Sequence, residues 1–354
     1  MPRIEGGPVI AVAGATGAVG QEFLRLFEQR RTAWGELRLL ASARSAGKSF
    51  EVAGESIVVR ELTAEAFDGV DVALFSAGGS ISREFGPIAV ERGCTVVDNS
   101  SAFRMADGVP LVVPEINGDE VASPRAPGII ANPNCSTIIM AVALEPLRRA
   151  FGIEHIVVST YQAASGAGAA AMEELRAQTS DVLAGREPKP DVFPVACAFN
   201  VFSHNSTVDP ATGLNVEEQK MVDEARKIWS QPELGVNPTC IRVPVLRAHA
   251  EAITVTLRDP ATETQVREAL ESGTGVRVID DRDGNVFPTS LDASGIDDVL
   301  VGRIRPDHSG ERRGDAYRRF ALFAVGDQIR KGAALNALQI AERVLGASVR
   351  EPRI

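Results

Sequence analysis

Unbroken apolar runs of membrane length, paired metal ligands and a surplus of positive charge are all missing from this 354-residue sequence, and each absence removes a class of protein. Every apolar stretch is broken by Pro, Asn, Gly or Ser before it reaches the length of a membrane-crossing helix, so no membrane span or membrane partner is expected. The cysteines, Cys94, Cys135, Cys197 and Cys240, contain no CxxC pair, which argues against a disulfide framework and a zinc cluster. The histidines, His155, His204, His249 and His308, show neither HxxxH nor HExxH spacing, so no metal is expected. A net charge of -10 argues against a nucleic-acid partner and leaves any anionic ligand to locally placed Arg, Lys or backbone N–H groups. The N-terminal MPRIEGG carries an acid at Glu5 and no cleavable signal pattern, and a cytoplasmic setting is the expectation.

The chain is long enough for two domains. Its first third alternates apolar, β-branched runs (VIAVAG, LRLLAS, IVVREL, DVALFSAG, TVVDNS) with amphipathic stretches such as Gln21–Gln29, the rhythm of a parallel sheet with helical crossovers. The rhythm changes after Ala131. There NPNCST leads into an apolar helical run from Thr137 to Leu147, followed by the strand-like HIVVSTYQ. Residues 185–213 read as a long structured loop or interface segment, Val216–Trp229 as a helix, CIRVPV and AITVTLR as strands, and KGAALNALQIAERVL as an amphipathic helix. The fold class predicted is α/β: a doubly wound dinucleotide-binding domain over 1–133 and 330–354, plus a central α+β catalytic and dimerisation domain over 134–329. The active site is expected in the cleft between them.

In VIAVAGATGAVGQEFLRLF, Gly14, Gly17 and Gly20 fall in GxxGxxG spacing between a strand and a helix, where backbone N–H groups can meet a pyrophosphate. A ligand-free tight turn gives the same spacing, but its position in a first βα unit favours a nucleotide. Units that bind NAD usually end their second strand on an acid that holds the ribose. Here LRLLA runs instead into Ser42, Ala43, Arg44 and Ser45, a phosphate partner rather than an acid, which points to NADP; the alternative is a solvated loop arginine.

Cys135 stands at the head of an apolar helical run with Asn134 and Ser136 beside it, where the helix dipole and N–H groups favour a thiolate and later an oxyanion. From chemistry alone it is either a nucleophile or a buried packing residue, whereas Cys94, Cys197 and Cys240 read as inert. A thiolate beside a nicotinamide narrows the reaction to interconversion of an aldehyde and an acyl product through a thioester. His249, seven residues after Arg242, is the candidate acid and base, although a lone histidine is more often structural.

The segments GATGAVG, SARSAGK, DNSSAFRM, NPNCST, YQAASGAG, EEQKM, RVPVLRAHAE and RKGAALNALQIAE, in this order, resemble aspartate-semialdehyde dehydrogenases over almost the whole chain. The resemblance implies NADPH-dependent reduction of aspartyl phosphate to aspartate semialdehyde in lysine, methionine and threonine biosynthesis, by a homodimer or homotetramer. It also implies roles: Cys135 as nucleophile, Gln162 orienting the acyl carbonyl, and His249 taking the thiol proton and returning it to the leaving group. Arg242 would fork the substrate carboxylate, Glu217 hold its amino group, Lys220 and Arg104 bind phosphate, and Asn134 line the substrate site. Without the resemblance, Glu217 and Lys220 read as an ordinary i,i+3 ion pair. Cofactor contacts are expected from Gly14, Thr16, Gly17, Ala18, Val19, Ser42, Arg44 and Ser45, with Ser165, Gly166 and Asn336. One departure stands out: the family frequently has Gly before the catalytic His, and this chain has Ala248.

Three alternatives fit the sequence less well. A short-chain dehydrogenase needs YxxxK, but Tyr161 is followed four residues later by Ser165 and Tyr317 by Ala321. Reductases of acetylated glutamyl phosphate share the thioester logic, but a carboxylate at Glu217 suits a free ammonium better than an amide. A catalytically silent nucleotide-binding regulator would have no use for Cys135, Gln162, His249 and Arg242 together.

Overall fold

The structure, a computed structural model, describes residues 5–121, 126–310 and 312–346. Residues 1–4, where no signal pattern was expected, and the last eight of the expected nucleotide-binding domain lie outside the described residues. The chain divides into two compact units, Met1–Asn134 with Ala333–Ile354, and Cys135–Gly332. The divisions fall one residue and three residues beyond the expected ones, because Asn134 stays with the first unit and the turn through Gly332 with the second.

Among the described residues the N-terminal unit is built on seven strands: β1 (Val9–Ala13), β2 (Glu36–Ala41), β3 (Ser49–Val52), β4 (Glu55–Glu61), β5 (Val72–Phe75), β6 (Thr95–Asp98) and β7 (Ile129–Ala131). They lie in the order β3-β4-β2-β1-β5-β6-β7, all parallel except the β3–β4 edge pair. One face packs on the helix Ala18–Arg30 and the C-terminal helix Leu335–Val344, the other around Phe67, Phe75 and Ala89. Burial of both faces is why VALF and TVVD are apolar or small throughout instead of alternating. The C-terminal helix is tied to the first by buried polar bonds: Arg30 Nη2 lies 2.8 Å from Glu342 Oε2, and Thr32 Oγ1 donates to Glu342 Oε1 at 2.6 Å.

Strands β3 and β7 are not visible in the sequence pattern. The β3–β4 hairpin turns through Ala53 and Gly54, both at positive φ (52° and 85°), a left-handed pair that Asn-Gly would have advertised and Ala-Gly does not.

Among the described residues the C-terminal unit carries eight strands: β8 (Ile153–Gln162), β9 (Phe202–Ser203), β10 (Gly235–Arg242), β11 (His249–Ala261), β12 (Val276–Val278), β13 (Val299–Pro306), β14 (Arg312–Arg313) and β15 (Ala316–Gly326). Their order is β12-β13-β15-β11-β8-β10-β9, with β14 on β15. The sheet is mixed: β8–β10 and β12–β13 are parallel and the other pairs antiparallel. In β8 the side chains of Ile156, Val158, Thr160 and Gln162 are buried while those between them are more open, the alternation of a sheet covered on one face. The helix Cys135–Phe151, buried along nearly its whole length, packs on that sheet, as does the helix Val216–Ile228. Residues 185–213 are irregular apart from the two-residue β9, as the Pro- and Asn-rich composition predicts.

Among the described residues no helix is long and apolar enough to cross a membrane, and no group of three His, Cys, Asp or Glu side chains could hold a metal ion.

Candidate active site

In the N-terminal unit, β1 delivers the chain into the glycine turn. Gly14 sits at φ 89°, and a Cβ there would lie 2.4 Å from Ser76 O; a Cβ on Gly20 would lie 2.2 Å from Gly14 O. These contacts demand glycine. Gly17 caps the helix Ala18–Arg30 without any side-chain hydrogen bond, so the first-turn N–H groups around Ala18 and Val19 remain for a pyrophosphate, and Thr16 is half-buried beside them. The residues present therefore fit a dinucleotide. At the end of β2, Ser42 and Arg44 are exposed in a single 3-10 turn; Ser45 is buried there and less available than its position in the sequence implies.

Arg104, Asn134 and Asn336 also belong to this unit. Arg104 is nearly buried, its Nε donating to Asn132 O (2.9 Å) and its Nη2 to Asn99 O (2.8 Å). Asn336 is fully buried and donates through Nδ2 to Val112 O (2.9 Å) and Asn132 Oδ1 (2.7 Å). Both of these bonds run from its Nδ2 and tie the C-terminal helix to this unit, so the cofactor contact expected of Asn336 would fall to its Oδ1.

In the C-terminal unit the candidate residues converge at one end of the sheet. Gln162 ends β8, Arg242 ends β10 directly opposite it, and His249 begins β11. Cys135 opens a 17-residue helix and is the one cysteine of the four that is not buried. Its sulfur interacts electrostatically with the Arg242 guanidinium. Gly332 leaves room for it, since a Cβ there would come within 2.8 Å of the Cys135 Cβ. The other thiols are inert, as read from the sequence: burial pushes Cys94 up to about 12 and raises Cys197 and Cys240 as well.

Arg242 is 2% exposed. Its Nη1 donates to Ala163 O at 2.6 Å, its Nη2 meets His204 Nε2 at 3.0 Å, and its plane lies over the Phe193 ring, 5.3 Å from the centroid. The Nε has no partner, so the Nε–Nη2 edge keeps donors for a planar anion. Glu217 joins this cluster from the first turn of the helix Val216–Ile228, whose N-terminus is fixed by an Asn215–Glu218 capping box. Glu217 Oε2 pairs with Lys220 Nζ at 3.1 Å, so the i,i+3 ion pair exists, but its carboxylate is nearly buried. Glu217 Oε1 accepts from Gln162 Nε2 at 3.1 Å, and Gln162 Nε2 also reaches Ser136 Oγ at 3.1 Å. A carboxylate can only accept, which fixes the amide orientation. Both N–H bonds of Gln162 are therefore engaged, and its free atom is the buried Oε1. In this arrangement Gln162 positions Glu217, where the sequence suggested that it orients an acyl carbonyl.

His249 is fully buried. Its Nδ1 accepts from Ala163 N at 2.9 Å, so the neutral ring carries its proton on Nε2, which has no partner. Burial first, and Arg242 second, push the ring down to about 3. The resting ring is thus a hydrogen-bond donor at Nε2. With Nδ1 accepting from Ala163 and the proton on Nε2, the resting ring offers a proton, and taking one up, the other half of its expected role, would require Nδ1 to give up that bond. Gly166 lies against it, as a Cβ would come within 3.1 Å of Nε2 and 3.5 Å of Arg242 Nη1, and the buried Ser165 hydroxyl is bonded to Gln328 Nε2. Ser165 and Gly166, expected at the cofactor, thus lie in the turn beside His249 and Arg242.

Two family-model matches decide which family this is. Residues 9–123 match the NAD binding domain of semialdehyde dehydrogenases, and residues 144–331 their dimerisation domain. The chain is 48% identical to the aspartate-semialdehyde dehydrogenase of Prochlorococcus marinus, over 96% of each protein. This chain belongs to the aspartate-semialdehyde dehydrogenase family. The enzyme from Bacillus subtilis is 44% identical, across 94% of this chain and 96% of its own. Among solved structures, aspartate semialdehyde dehydrogenase II of Vibrio cholerae complexed with ASA matches with a TM-score of 0.91 at 44% identity, covering 96% of this chain and 98% of that one. The Candida albicans enzyme with NADP matches at 0.71 and 25% identity, over 96% and 99%. The chain is therefore an oxidoreductase with a nicotinamide-dinucleotide domain.

The backbone just before His249 is strained. Ala248 sits at φ 70°, fully buried, with its N–H donating to Gln328 Oε1 at 2.9 Å. A non-glycine residue in this region costs about 1 kcal/mol. The side chain of Gln328, placed by its own bond to Ser165, holds the strained peptide that aims His249. His204 and Phe193, which complete the Arg242 environment, were invisible in the sequence because the loop 185–213 has no periodicity and a lone histidine carries no spacing signal.

Proposed function

We propose that the chain catalyses the reductive dephosphorylation of L-aspartyl 4-phosphate to L-aspartate 4-semialdehyde, with NADPH as reductant and Cys135 as nucleophile. The observation carrying this reading is the convergence of an accessible cysteine at a helix N-terminus with Arg242, Glu217 and a donor His249. Cys135 thiolate attacks the acyl carbon, the carbon–oxygen bond to phosphate breaks, and phosphate leaves a thioester on the sulfur. A bound nicotinamide dinucleotide supplies the hydride that reduces the acyl carbon. Collapse of the resulting thiohemiacetal breaks the carbon–sulfur bond, releases the aldehyde and restores the thiolate. Throughout, His249 Nε2–H donates to the developing oxyanion, and the helix N-terminus adds its backbone N–H groups.

Substrate recognition follows from charge. The Arg242 edge receives the α-carboxylate, and Glu217, oriented by Gln162, receives the α-ammonium. Lys220 and Arg104 serve the phosphate, and Asn134, next to Cys135 in the chain, serves the acyl group. Exposed Arg44 and Ser42 at the end of β2, with no acid there, support NADP over NAD. The dimerisation domain supports a homodimer, or a homotetramer built from it.

Phosphate-dependent reduction of NADP by aspartate semialdehyde tests this directly. Turnover is expected with NADP well ahead of NAD and with the N-acetylated glutamate semialdehyde inert. Turnover of the acetylated compound in place of the free amino acid would transfer the chain to the other branch.

A further inference from the structure

His204 lies in the irregular segment after β9 and contacts no atom assigned to chemistry, yet it is bonded to the residue expected to read the substrate. Arg242 has only donors, so where its Nη2 stands 3.0 Å from His204 Nε2, that nitrogen must present its lone pair. The ring proton therefore sits on Nδ1, where Ser206 Oγ at 3.1 Å accepts it. The Ser206 backbone N–H is directed at the same Nδ1 from 3.3 Å, a longer contact that competes with this tautomer and is outweighed by the Arg242 donor, which has no other way to meet Nε2. Ser206 Oγ also accepts the backbone N–H of Glu217 at 3.2 Å. An unbroken chain thus runs from the guanidinium through a rigid imidazole and a hydroxyl to the first turn of the helix carrying Glu217.

We propose that His204, with Ser206, is a positioning residue that sets the span between the Arg242 guanidinium and the Glu217 carboxylate and selects which edge of the guanidinium is offered. The inference rests on the reading that these two groups receive the carboxylate and ammonium of an α-amino acid. With the Nη1 hydrogens directed at Ala163 O (2.6 Å) and Gln162 O (3.4 Å) and one Nη2 hydrogen at His204, the hydrogens left are those of Nε and the second on Nη2. They lie side by side, and they form the fork that matches a carboxylate. Without His204 the planar guanidinium can turn about Cδ–Nε and lose that edge.

The chain requires a neutral imidazole. The charges around it are Glu217, Glu218 and Lys220 from one helix and Arg242 from β10, with the neutral His249 ring on β11; burial pushes His204 down to about 4. It therefore stays an acceptor across the neutral range.

The test uses the full-length enzyme. His204→Leu is expected to raise the KM for aspartate semialdehyde about tenfold or more, the loss typical of a hydrogen bond to a charged group, while the KM values for NADP and phosphate stay put. His204→Gln, whose Oε1 can accept from Arg242, should recover most of that loss. An unchanged semialdehyde KM in the leucine variant, or an equal rise in both variants, overturns the proposal. Nitrogen-15 spectra of the histidine-labelled wild type test the tautomer without any substrate: His204 must carry its proton on Nδ1, and a proton on Nε2 overturns the proposal. Failure of the wild type to turn over aspartate semialdehyde, with the Nδ1–H tautomer present, would refute the substrate reading alone.

Discussion

The two sheets of this enzyme bury different things. In the N-terminal unit the central strands bury apolar side chains on both faces, and the candidate ligand-binding groups are backbone N–H groups at a strand-to-helix turn. In the C-terminal unit one sheet face buries a polar row, Arg242, Gln162 and His249, at its end. Directly behind comes a second row, Cys240, Thr160 and Glu251, paired in register across β10, β8 and β11. A backbone site tolerates an apolar scaffold because its donors belong to the main chain. A side-chain site has to desolvate its own functional groups, and the cost appears as displaced protonation equilibria.

Removing one atom separates the two kinds of site most sharply. Cys135→Ala is expected to lower turnover by about a thousandfold or more while NADPH binding, measured by fluorescence titration, stays as in the wild type. Substantial remaining turnover would rule out covalent catalysis.

The converse change adds one carbon to the backbone site. Gly14→Ala puts a Cβ 2.4 Å from Ser76 O at a φ of 89°, so it should lower stability by about 1–3 kcal/mol and weaken NADPH binding. Alkylation of Cys135 by iodoacetamide should proceed at its usual rate. An unchanged Tm and affinity would show that the turn has slack that these contacts deny.

The smallest effect is expected from the second polar row. Glu251 is fully buried, neither carboxyl oxygen has a partner among the described residues, and desolvation holds its carboxyl well above the usual carboxylate range. The folded protein keeps this proton where the unfolded chain releases it. Stability from this group is therefore complete below about 4.5 and falls as pH rises above it, toward the raised folded value. Glu251→Gln removes that slope. The Tm gain of the variant over the wild type should grow from pH 5 to pH 8, and a pH-independent difference would mean that Glu251 is ionised and partnered in the fold.

Legibility in the sequence followed the same division. GATGAVG, the apolar strands and the absent acid at the end of β2 state the nucleotide unit in local terms, since a turn and a strand period are properties of neighbouring residues. Cys135 was legible for the same reason, being at the head of a helix. Gln162, Arg242 and His249 could be named through resemblance, but their working states could not. The donor tautomer of His249 depends on Ala163, the amide orientation of Gln162 on Glu217 more than fifty residues away, and the Arg242 edge on His204. The hairpin β3–β4 escaped because Ala53 adopts a conformation its identity does not favour.

By itself, then, the sequence determined the family, the α/β class, the glycine turn and the choice of sulfur, because each is written in contiguous residues whose backbone and period preferences agree. Only the tertiary structure decided which atoms carry protons, which donors are already engaged and which remain for a substrate. Hydrogen bonds between distant segments consume donors and acceptors one at a time, and burial then fixes the charge state of what is left.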